Sequence, residues 1–181
     1  MLLARRLCHD LAGPVGAVGT AVEMLGDGGD PELVALAADG VAALSALLRL
    51  LRFAVSDDGA SGEARSLVTA WLATRDAPTL IWADTGDWPP GVAPLTAGLA
   101  LIGGEALRKG SMHVARGSLR LETPAIGVDD ALAAVLEGHV SASTTVHAVA
   151  AILAARAAAL GGSLHVEREA GAVTLSFRSL A

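Results

Sequence analysis

Aromatic side chains are scarce in this chain, at 3% of 181 residues, and tyrosine is absent. That excludes a β core built on aromatic packing. Lysine occurs once, at Lys109, and no run of basic residues appears. With a net charge of −6, the chain lacks the electrostatic footing for nucleic acid. Cys8 is the single cysteine, which excludes an internal disulfide and a thiolate zinc site built on cysteine alone. One unpaired cysteine also suits a reducing, cytoplasmic setting. No signal peptide and no stretch of about twenty apolar residues is read from the sequence, so neither targeting nor a membrane span is expected.

What is abundant is small and aliphatic. Hydrophobic residues make up 52% of the chain, chiefly Ala, Leu and Val. This favours close-packed helices. Residues 2–25 read as one amphipathic helix. Ala4, Leu7, Leu11, Pro14, Val18, Ala21 and Leu25 recur in alternating steps of three and four, the seam spacing of a helical bundle. The "GDGGD" stretch at 26–30 makes a short turn, Asp30 an N-cap and Pro31 the first position of a second helix that runs to about Val55. Leu33, Leu36, Leu44, Leu47, Leu48 and Leu51 offer more than one apolar face on it. Such a hairpin is expected to pair with a second copy as a four-helix bundle; the competing reading has the C-terminal half cover that face in a monomer.

A composition break at 56–64 separates a hairpin domain, 1–57, from a second domain, 63–181. There the elements alternate. Helices are expected at 63–75, 94–108, 129–137 and 145–160, and strands at 79–83, 111–115, 118–124, 163–169 and 172–178. The fold class is therefore α+β: a helical hairpin followed by an α/β sandwich with helices on one face of a mixed sheet. Asp129 and Asp130 read as helix caps, and Trp71, Trp82 and Trp88 as packing residues. The spacings of His113, His139, His147 and His165 fit no zinc motif.

His9 carries the chemistry. At 100° per residue it lies about 160° from the mean direction of the seam, and so points away from the bundle core. Arg5, Arg6, Gly13, Gly16 and Thr20 share its outward strip. Each helical glycine costs about 1 kcal/mol relative to alanine. In return the strip stays low, and another protein's backbone can approach the imidazole. Pro14 bends the helix just past His9. A neutral ring nitrogen is a good nucleophile toward phosphorus. Asp10 is placed to accept a hydrogen bond from the ring or act as a base, and Arg5 and Arg6 lie within reach of a phosphoryl group on it.

"HDLAGP" resembles the H-[ED]-L-x-x-P box of histidine-kinase dimerisation helices. The longer "RLCHDLAGPVGAVGTAVEML" is similar to ChpT-type histidine phosphotransferases, although their Asn-Gly pair is missing from the tail, which reads Gly19-Thr20-Ala21-Val22-Glu23-Met24-Leu25. The element order of the second half resembles a GHKL (Bergerat-type) ATPase domain in degenerate form. Its N-box asparagine would fall on helix 94–108, yet asparagine is absent from the whole chain. The D-x-G-x-G box and the lid glycines are also missing, and no nucleotide-binding residue is assigned. The resemblance implies a cytoplasmic, homodimeric relay protein that moves phosphate between receiver domains of a hybrid histidine kinase and of downstream response regulators. It implies no intrinsic cofactor, with Mg²⁺ supplied by the partner receiver, and no ATP-dependent kinase activity. Two other readings stay open: a kinase-like docking module that takes no phosphate, and a kinase with drifted nucleotide motifs.

Overall fold

In a computed structural model, residues 15, 16, 18–24, 30–75, 78–83, 86–107, 109–123, 128–139 and 147–179 are described. Residues 18–24 are helical (α1). Then follow α2 (Pro31–Ala54), α3 (Ser61–Leu72), β1 (Thr79–Trp82), α4 (Val92–Ala106), β2 (Ser111–Ala115), β3 (Ser118–Glu122), α5 (Asp130–Leu136), α6 (His147–Ala159), β4 (Gly162–Glu169) and β5 (Ala172–Ser179). The architecture is mixed α+β. Every expected element among the described residues is present, with ends moved by a few residues. The first positions of the helix expected from residue 145 lie outside the described residues.

Local chemistry explains the helix starts. Asp30 caps α2 by accepting the Glu32 N–H at 2.9 Å, with Pro31 behind it. Asp129 caps α5 by accepting the Leu132 N–H at 2.7 Å. The sheet runs in the order β1-β2-β3-β5-β4. β1 and β2 are parallel, joined by the α4 crossover, and all other pairs are antiparallel. β2 and β3 alternate buried and half-buried positions. Met112, Val114, Leu119 and Leu121 point to the helices, and Ser111, His113, Arg120 and Glu122 to the open face.

α4 lies between two layers. On one side it meets β2 and β3; on the other it meets α2, α3 and α6. Every residue from Val92 to Gly104 is buried, which explains why this helix has no polar face. Its glycines allow the approach. A β-carbon at Gly98 would stand 2.4 Å from Leu153, one at Gly103 2.5 Å from Leu119, and one at Gly104 2.5 Å from the Trp71 ring.

The loop at 55–60 coincides with the composition break, but the core continues across it. Leu50 and Phe53 of α2 belong to the same buried cluster as Trp71, Leu95, Leu119 and Leu153. α2 also bears on the expectation of no membrane span. With 24 residues and a mean hydropathy of 1.8 over its most apolar window, it is long and apolar enough to cross a membrane by length and composition. Alanine, leucine and valine dominate the helix, with charge only at Glu32, Asp39, Arg49 and Arg52.

Gly104→Val is expected to cost about 1–3 kcal/mol through overpacking against Trp71. Urea unfolding measures it, and an unchanged midpoint would contradict the close approach of α3 and α4.

Candidate functional site

His9, Asp10, Arg5, Arg6, Gly13 and Pro14 lie outside the described residues. Of the expected strip, Gly16 and Thr20 are described, and both are exposed. A β-carbon built at Gly16 or at Gly19 meets no atom within 4 Å. The seam residues on the same helix turn the other way: Ala21 is fully buried and Val18 half-buried. In the described part of α1, Val18 and Ala21 thus turn inward, and Gly16 and Thr20 turn outward.

The helix to which the resemblance gives the nucleotide asparagine is α4. Its inner positions are occupied by contact with Leu153, Leu119, Leu121 and Trp71. Two clefts among the described residues lie along α2 and α3. One, of about 440 Å³, is lined by Arg49, Arg52, Phe53, Ser56, Asp58, Glu63 and Leu67. Sequence reading missed it. The available signal was a pair of arginines three residues apart in an otherwise aliphatic helix.

The remaining histidines are dispersed. His113 sits on the open sheet face, with Nε2 3.0 Å from Ser111 Oγ and 3.2 Å from Glu122 Oε2. Arg120 donates to Glu122 at 2.9 Å and reaches Glu169 at 2.9 Å. That guanidinium hydrogen bond holds the Glu122 carboxyl below the usual range, against a smaller opposing effect of desolvation. His165, on β4 and three strands away from His113, has Nε2 2.9 Å from Ser163 Oγ and pairs in register with Ser176. His139 is exposed, and His147 is buried at the start of α6. Among the described residues, no three His, Cys, Asp or Glu side chains gather as a metal centre requires.

Over 123 residues the chain is 29% identical to a Brucella abortus protein named Protein phosphotransferase ChpT. What the chain resembles is a protein phosphotransferase. The match covers 64% of this chain and 58% of that protein, so it spans well under two thirds of the relative's length. A solved structure described as a bacterial phosphotransferase superimposes with a TM-score of 0.79 at 20% identity, covering 98% of this chain and 94% of the other. That likeness shows a shared fold. The Acinetobacter baumannii histidine kinase AdeS superimposes at a TM-score of 0.46 with 17% identity, over 93% of this chain and 95% of that one, too loosely to argue from. No protein-family model matches the chain.

The open space at Gly16 has a stability consequence. Gly16→Ala is expected to leave thermal stability unchanged or to raise it by up to about 1 kcal/mol, since alanine favours a helix and meets nothing there. A lower melting temperature would show that Gly16 is held by packing.

Proposed function

We propose that this chain is a histidine phosphotransferase of a bacterial phosphorelay, with His9 as the phosphate carrier. The similarity to a protein phosphotransferase carries the reading. The HDLAGP box supplies the residue. Helical arithmetic supplies the approach: His9 precedes Gly16 by seven residues, and Gly13 precedes Thr20 by seven, so each pair shares a stripe of the helix. The described ends of both stripes are exposed.

In the forward step a lone pair on a neutral His9 ring nitrogen attacks the phosphorus of a receiver's aspartyl phosphate. The N–P bond forms as the O–P bond breaks, and the receiver's carboxylate leaves with the electron pair. The other ring nitrogen then releases its proton, toward Asp10 or water. Return transfer to a second receiver reverses these changes. Arg5 and Arg6 are placed to pair with the phosphoryl oxygens. The receiver's acidic pocket supplies Mg²⁺, so this chain contributes position and charge. Support for a relay without ATP comes from the missing asparagine and glycine boxes, and from an α4 whose inner positions are filled by neighbours.

The protein is proposed to act as a homodimer. Val34, Val41 and Leu48 repeat every seven residues along α2, and each is about half exposed (50%, 51% and 46%). Leu33, Ala43, Leu47 and Leu50 form a second, inward seam about 135° away. A helix with two adjacent apolar seams suits a four-helix bundle, where it faces two neighbours. Lipid is a poorer occupant, because Asp39, Arg49 and Arg52 would enter it unpaired. A cytoplasmic setting and receiver domains as partners follow from the same reading, and the acidic charge argues against nucleic acid.

His9→Ala is expected to abolish labelling by a phosphorylated receiver while leaving the oligomeric state unchanged; retained, acid-labile label would reject His9. The double substitution Val41→Glu with Leu48→Glu is expected to halve the mass measured by light scattering. A wild type already monomeric at micromolar concentration would refute the bundle.

A further inference from the structure

The connection between α2 and α3 is held from a distant part of the chain. Arg156, in α6, donates through Nη2 to the main-chain oxygen of Ser56. Its Nη1 lies 3.9 Å from Asp57 Oδ1. The Arg156 side chain is 16% exposed, whereas the Asp57 carboxylate stands fully in solvent. Arg156 Nε is buried and has no hydrogen-bond partner among the described residues.

The linker is also wired within itself. Ser56 Oγ lies 2.7 Å from Phe53 O and 2.9 Å from Asp58 O. Asp58 Oδ1 accepts the Gly59 N–H at 2.7 Å. The Phe53 ring covers Gly59 so closely that a β-carbon there would stand 2.3 Å from it. Beyond the linker, Ser61 Oγ donates to Gly86 O at 3.0 Å. Asp57 O and Leu160 both flank Gly91, which opens α4 at a φ of 78°.

Filling the space beneath this linker needs no charge. An apolar side chain would pack there without leaving a buried N–H unmatched. What the guanidinium adds is direction: a charge-assisted bond to one carbonyl, in a six-residue joint that has little apolar packing beyond Phe53. We propose that Arg156 is a latch on this joint, holding 55–60 in one conformation and so fixing how α2 leaves the sandwich. When the latch is undone, the linker opens locally and α2 pivots on the contact made by Leu50, Phe53 and Ala54. The latch is a property of the joint alone and does not depend on what His9 does.

Amide hydrogen exchange on the full chain tests it, with wild type compared against Arg156→Met and Asp57→Asn. Methionine keeps much of the apolar stem but cannot donate. Amides of 55–60 are expected to exchange about tenfold faster or more in Arg156→Met, with β2, β3 and β5 unchanged. Asp57→Asn is expected to stay within about twofold of wild type, because its carboxylate is solvated. Unchanged linker exchange in Arg156→Met overturns the latch, as does a rise shared equally by linker and sheet. Loosening by Asp57→Asn equal to that of Arg156→Met would overturn the assignment to the Ser56 carbonyl.

Discussion

Helix α4 must be covered on every side, because Val92 through Gly104 present no polar face to water. The sheet covers one side, and α2, α3 and α6 cover the other. This requirement ties the hairpin to the sandwich. The last turns of α2 are part of the wall that keeps α4 dry, so Leu50 and Phe53 lie in one core with Leu119 and Leu153. It also explains the glycines along α4. Neighbouring layers touch the helix backbone at Gly98, Gly103 and Gly104, where a side chain would separate them.

The two ends of α2 therefore have opposite surroundings. Its C-terminal end is buried by the sandwich, while its N-terminal half leaves Val34, Leu36 and Val41 in water. A single chain offers nothing among its described residues to cover them. The proposed second copy would do so with the same seams, and it would place two copies of the His9 box on one bundle. The linker and Arg156 sit just past the buried C-terminal end, where α2 gives way to α3.

Much of this was legible in advance, and for identifiable reasons. The Asp30-Pro31 and Asp129 caps, the alternation in SMHVA and SLRLE, and the paired β4 and β5 are local patterns. They depend on residues within a few positions of one another. The inward turn of Val18 and Ala21 followed from helical periodicity alone. The cleft at Arg49 and Arg52 was not legible. Nothing local says that α3 folds back along that side of α2. The latch was equally hidden, since Arg156 and Ser56 stand 100 residues apart.

By itself the sequence determined the element order, the helix caps, the strand faces and the box around His9, because each depends on short-range periodicity or on side-chain chemistry. Only the tertiary structure decided the sheet order, the burial of α4 between two layers and the seating of Arg156 beneath the α2–α3 linker. Those depend on which distant surfaces exclude water together, and that choice is made by the whole chain at once.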